Sequence, residues 1–241
     1  MIGIMLEAEH RMPSPPHNPG LRDLIEGKRA WDARAEAGDK RAGFRGWHER
    51  GYLPHRDSPG LTQFITYRLA DSFPVELRAE WSALFEIENE RERRKKLEAD
   101  LDRGGGECWL RRPEAAEICQ RVFFHCDGER YVLKAWCLMP NHVHALVLAT
   151  TTPMSEFVQS SWKGYTAYRC NEVLKRREAQ FWAADYWDTY MRDSNQETRT
   201  IQYIENNPVK AGLAKEPKSW PWSSAHFRDK FGVLHTPERR Q

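Results

Sequence analysis

The chain has 241 residues, 40% hydrophobic and 30% charged, enough to bury a real core and most simply one domain with additions. Its formal charge of +2 leaves no strong basic field, so a nucleic-acid partner has to be held by a local groove rather than by bulk charge. Five cysteines without C-x-x-C spacing indicate neither a disulfide framework nor a zinc ribbon, and fit reduced thiols in a cytosolic setting.

In chain order, the opening "MIGIMLEAEHRMPSPPHNPG" is broken by Glu7 and Glu9 and carries no export signal. No stretch anywhere approaches an apolar membrane span. Residues 1–60 are punctuated by "PSPPHNPG" and "GYLPHRDSPG" and read as an irregular arm, with one short helix near Leu21–Ala37. "TQFITYRL" from Thr62 to Leu69 alternates β-branched and aromatic residues as a strand does. From Pro74 the pattern turns helical and runs into a charge-dense tail that reads as a solvated helix end and stops at three glycines, 104–106. A second helix begins at Pro113 and closes near Gly128.

Two runs, 131–139 and 142–150, are separated only by Pro140 and Asn141, the pattern of a tight antiparallel hairpin. A helix follows from Pro153, then a short strand in "YWDTYMRD". A last helix in "NQETRTIQYIENNPVKAG" is expected to end at Pro208, because the residue before a proline is pushed out of the α region. The order β-α-α-β-β-α-β-α predicts one α+β unit, with helices covering a mainly antiparallel sheet. Its expected extent is 61–227, with the arm at 1–60 and a tail at 228–241.

Side chains alternate along a strand, so His142 and His144 project to one face with Val143 on the other. Two imidazoles at that spacing can share a metal ion, but an H-x-H alone is more often two half-buried histidines bonded to their neighbours. Tyr203 and Asn207 are four apart on the last helix and share a face. They too have an ordinary explanation, an aromatic packed on the sheet and an amide capping a helix end.

The segments "WCLMPNHVHALV", "YWDTYMRD", "YIENNPVKAGL" and "WPWSSA", in this order, resemble the REP-associated tyrosine transposases, a branch of the HUH-type transposases of the IS200/IS605 kind. The resemblance runs from about Leu61 to Phe227. It implies an RRM-like α+β fold, metal ligation by His142, His144 and Asn207 (where relatives often carry Gln), and Tyr203 as the nucleophile. The implied reaction is Mg²⁺- or Mn²⁺-dependent cleavage and joining of single-stranded or hairpin DNA through a 5′-phosphotyrosine, with no nucleotide cofactor. It also implies a cytoplasmic, nucleoid-associated protein, monomer or dimer.

Around that centre, Lys163 and Arg176, with Lys175 and Arg177, are candidates for phosphate contacts, although a charge run is more often a solvated face. Trp220 and Trp222 are candidates for stacking unpaired bases, with core packing as the alternative. A protein that binds hairpin nucleic acid without cutting it, and a hydrolase using water, are the competing readings. The hydrolase predicts turnover that survives Tyr203→Phe.

Overall fold

The computed structural model describes residues 36–49, 54–73, 90–176 and 179–237. The expected helix near Leu21–Ala37 falls almost wholly outside these residues, as does the first part of the helical stretch after Pro74. The chain divides into Met1–Gly38 and Asp39–Gln241, and the elements that matter lie in the second unit. After α1 (Glu36–Arg41), which spans the division, they are β1 (Gly46–Glu49), β2 (Pro54–Asp57), β3 (Thr62–Arg68), α2 (Glu90–Asp102) and α3 (Pro113–His125), followed by the hairpin β4 (Tyr131–Leu138) and β5 (His142–Ala149). Next come α4 (Met154–Phe157), a π-helical stretch (Val158–Tyr165), α5 (Thr166–Val173), β6 (Trp187–Tyr190) and α6 (Ser194–Lys210).

Strands β3 to β6 form one sheet in the order β4-β5-β3-β6, every neighbouring pair antiparallel. Taken with the helices between them, this is a β-α-β-β-α-β chain whose first and third strands lie at the centre, the RRM-like arrangement. One face of the sheet carries Ile65, Tyr67, Leu133, Trp136, Val143 and Val147 into the main core, which Phe123, Phe157 and Trp162 of the covering helices complete. The other face carries Phe64, Ala135, Cys137, Met139 and Leu146 against Ile204 of α6. β4 changes parity midway: the register steps from Leu133 opposite Val147 to Ala135 opposite Leu146, a bulge at Lys134. Without that extra residue Cys137 would point into the main core; with it, Cys137 sits opposite His144. Arg228 Nη2 donates to the Lys134 carbonyl at 2.9 Å, satisfying the group the bulge leaves out of the ladder.

The structure departs from the sequence expectations in four places. Part of the stretch expected to be irregular forms a second sheet, β1 paired with β2. His55 of β2 is buried and bonds through Nδ1 to the Asp188 carboxylate of β6. Gln63 Nε2 donates to the same carboxylate at 2.9 Å and to the Arg56 carbonyl of β2 at 2.7 Å, so the pair is fastened to the sheet edge. α2 is not simply a solvated helix end, because Leu97 and Leu101 are buried. The helix after Pro153 contains an eight-residue π stretch, Val158–Tyr165, where a plain α-helix was expected.

Finally, Pro208 does not end the last helix but lies buried inside it. A proline two residues from the last helical position removes one N–H while the turn continues on the carbonyls beyond it. The stop is Gly212, whose φ is +70°. Gly212 N donates to the Val209 carbonyl at 3.0 Å and Leu213 N to the Pro208 carbonyl at 2.8 Å, the pair of bonds of a Schellman cap. Gly212→Ala forces a side chain into the left-handed region and is expected to lower stability by about 1 kcal/mol, measurable by urea unfolding.

Candidate active site

His142 and His144 lie on β5, beside the central β3 strand, on the face covered by α6. His142 pairs in register with Arg68, and His144 with Thr66 on one side and Cys137 on the other. Both imidazoles are buried, His144 completely. Their Nε2 atoms are 3.1 Å apart and the ring centroids 4.7 Å, so the two rings aim at one point. Ligand nitrogens about 2.1 Å from one ion and at a right angle are separated by about 3 Å, so the pair fits a shared cation without rearrangement.

The Nδ1 atoms are held from behind. Asn141 Nδ2 donates to the carbonyls of Leu101 and Gly105, both at 3.2 Å. That fixes the amide orientation and leaves Asn141 Oδ1 to accept from His142 Nδ1 at 2.8 Å. A neutral His142 therefore keeps its proton on Nδ1 and its lone pair on Nε2. Burial, helped by the nearby Lys210 charge, lowers the pKa of His142 to about 3, so the ring is neutral at physiological pH, as a ligand must be. His144 Nδ1 bonds Thr66 Oγ1 at 2.9 Å, and donation to that hydroxyl puts the lone pair of a neutral ring on Nε2, as in His142. Such outer partners orient metal-binding histidines and raise their basicity.

Tyr203 comes in from α6, whose N-terminus is capped by the Asp193 side chain accepting from Gln196 N at 2.7 Å. Its ring stands edge-on to Phe64 at 6.0 Å and to His144 at 5.7 Å. The phenol oxygen is buried and has no partner at hydrogen-bonding geometry. Burial, then the Glu98 carboxylate, raise its pKa, while the neighbouring Asn207 amide works the other way. Asn207, one turn on, is itself buried, with neither amide atom bonded. Two buried unsatisfied amide atoms are costly, and a cation is one partner that would satisfy the oxygen. Among the described residues no three His, Cys, Asp or Glu side chains group as a metal cluster.

The other candidates are placed differently. Lys163 lies on the helical layer over the opposite face, is 5% exposed, and donates from Nζ to the Ala184 carbonyl at 2.5 Å; it is a buried structural cation and not a surface contact. The Arg176 guanidinium stacks 4.7 Å from the Trp109 ring and 5.4 Å from that of Phe181. Lys175 adopts φ +54° at the end of that helix, and Arg177 lies outside the described residues. Trp220 donates from Nε1 to the Leu138 carbonyl at 3.0 Å and packs on the same apolar cluster as Tyr203. The Trp222 carbonyl accepts from Leu138 N at 2.9 Å, and its ring packs on the main core. Of the competing tyrosines, Tyr186 is buried against His55 at 4.9 Å, Tyr190 lies under Arg56 at 5.2 Å, and Tyr165 and Tyr168 are exposed. Sequence reasoning missed Thr66, Asn141, Glu98 and Lys210, none of which carries a local signal beyond strand, turn or charged helix.

The family described as "Transposase IS200 like" matches residues 109–207, which include the histidine pair, Tyr203 and Asn207. The chain is 26% identical over 110 residues to a Haemophilus influenzae protein described as a REP-associated tyrosine transposase, covering 42% of this chain and 62% of that protein. It is 27% identical over 99 residues to the REP-associated tyrosine transposase of Escherichia coli K12, covering 40% and 55%. The chain thus spans less than two thirds of the length of either relative. Among solved structures, one of a REP-associated tyrosine transposase bound to a REP hairpin is similar at 19% identity and a TM-score of 0.40, covering 76% of this chain and 84% of that one. A Deinococcus radiodurans transposase is similar at 16% identity and a TM-score of 0.30, covering 66% and 96%. No helix among the described residues is long and apolar enough to cross a membrane.

Proposed function

Taking residues 109–207 as an IS200-like transposase segment, we propose that the chain cuts and rejoins single-stranded DNA beside a hairpin, with Tyr203 as nucleophile. The observation that carries this reading is the convergence of His142, His144 and Tyr203 on one face of the sheet, with the two Nε2 atoms 3.1 Å apart. His142 and His144, with the Asn207 amide oxygen, would hold Mg²⁺ or Mn²⁺, which when bound withdraws charge from a phosphodiester and leaves positions open to its oxygens.

The Tyr203 oxygen forms a bond to the phosphorus as the bond to the 3′ oxygen breaks. The phenol gives up its proton and the departing 3′ oxygen gains one. The products are a 5′-phosphotyrosine and a free 3′ hydroxyl, and because one phosphodiester replaces another the step can run backwards onto a second strand. Phe64 and the walls around Tyr203 keep the phenol from water, which favours attack by the tyrosine over hydrolysis.

Incubating the protein with hairpin oligonucleotides bearing unpaired flanks tests this. With Mn²⁺ or Mg²⁺ one fragment is expected to end in an extendable 3′ hydroxyl while the other stays on the protein through denaturation, and chelation stops both. Cleavage that releases a free 5′ phosphate would instead identify water as the nucleophile. Binding without cleavage across metals and substrates would leave the non-cutting hairpin binder. Asn141→Ala is expected to weaken Mn²⁺ binding about 10- to 100-fold, as loss of an outer-shell partner does, with Mn²⁺ affinity followed by calorimetry.

A further inference from the structure

The charged helix α2 lies outside the family match, which begins at residue 109, yet it forms a wall of the site. Leu97 and Leu101 anchor it in the interior. The Leu101 carbonyl holds the same Asn141 amide that orients His142, so helix, hairpin turn and imidazole are tied together. On its next face Glu98 stands near Tyr203, and Asp102 Oδ2 accepts from Lys210 Nζ at 2.8 Å. Glu98 and Asp102 are four residues apart on one helix; Lys210 is three past Asn207 and seven past Tyr203 on the other. Both spacings keep side chains on a shared face.

Lys210 is therefore placed at the rim of the site with its charge felt at His142. Its side chain is 57% exposed while that of Asp102 is 16% exposed, so the carboxylate is the fixed member and the lysine the one that reaches solvent. An ammonium has three donors, and Asp102 occupies one of them. With a chain charge of only +2, bulk attraction for a polyanion is weak, and phosphate has to be met by cations that the fold puts in place.

We propose that Lys210 contacts a phosphate oxygen of the strand at the reacting position, and that Asp102 of α2 positions it for that contact. The inference rests on the tyrosine-transesterification reading. The complete chain, with a hairpin oligonucleotide and Mn²⁺, tests it through the rate of covalent adduct formation and the salt dependence of binding, in wild type, Lys210→Ala, Lys210→Arg and Asp102→Asn. Lys210→Ala is expected to slow the adduct about 100-fold, the scale of losing one donor to a developing oxyanion. It should also reduce the slope of log affinity against log salt by about 1. Lys210→Arg is expected to restore most of the rate and the slope, because it keeps the charge. Asp102→Asn is expected to slow the adduct with unchanged Mn²⁺ affinity, since it frees the ammonium without touching a ligand. Wild-type rate and slope in Lys210→Ala, while the wild type forms its adduct normally, would overturn the inference and leave the reading beneath it intact. A wild type that forms no adduct would remove that reading and this inference with it.

Discussion

Tyr203→Phe is expected to abolish the protein–DNA adduct and to reduce strand cleavage by about 10⁴-fold or more, the scale of removing an enzyme's nucleophile. The substitution is clean because it deletes only the oxygen. The ring keeps its edge-on contacts with Phe64 and His144, and the hydroxyl it loses is buried without a partner at hydrogen-bonding geometry. Removing an unsatisfied buried hydroxyl is near neutral or stabilising, so the variant should melt at or slightly above the wild-type temperature and bind the hairpin unchanged. A phenol retained only for packing would leave both stability and adduct formation at the wild-type level, since the ring contacts survive the substitution. Denaturing gels and thermal unfolding of the same two preparations separate these outcomes.

His144→Ala carries the second large effect. A ligand lost from a two-imidazole site should cost more than the roughly 10²-fold that an outer-shell partner costs, so metal-dependent cleavage is expected to fall beyond that. The ring fills a fully buried position between Thr66 and Cys137, and emptying it should destabilise the fold by about 2–4 kcal/mol. Loss of activity alone would therefore be ambiguous. Metal-dependent stability resolves it: Mn²⁺ at 100 times its Kd should stabilise the wild type by about 2.7 kcal/mol and the variant hardly at all. Equal Mn²⁺ stabilisation of both proteins would mean that the metal binds elsewhere.

The histidine pair was legible in the sequence because strand alternation has a period of two, so 142 and 144 share a face whatever the tertiary fold. Tyr203 and Asn207 were legible for the matching reason on a helix. Yet the bulge at Lys134 was hidden, because an extra residue leaves a run of apolar side chains looking like an ordinary strand, and only its partner's register exposes the change of parity. Pro208 misled for a local reason: the rule that proline ends a helix holds in the interior, while here the turn needs few further bonds and Gly212 supplies the stop. The reach of α2 into the site was also out of sight. Its buried residues Leu97 and Leu101 are diluted by charges on every side, and the meeting of Asp102 with Lys210 spans 108 positions. Lys163 shows the converse, a cation that looks available in sequence and is buried on a carbonyl.

The most direct measurement is the mass of the peptide Thr200–Lys210 after the protein has reacted with a hairpin oligonucleotide in Mn²⁺, been trimmed with nuclease and been digested with trypsin. A nucleotide attached through its 5′ phosphate to Tyr203 is the predicted result. Cleaved DNA alongside an unmodified Tyr203, or a nucleotide on Tyr186 or Tyr190 instead, would contradict it.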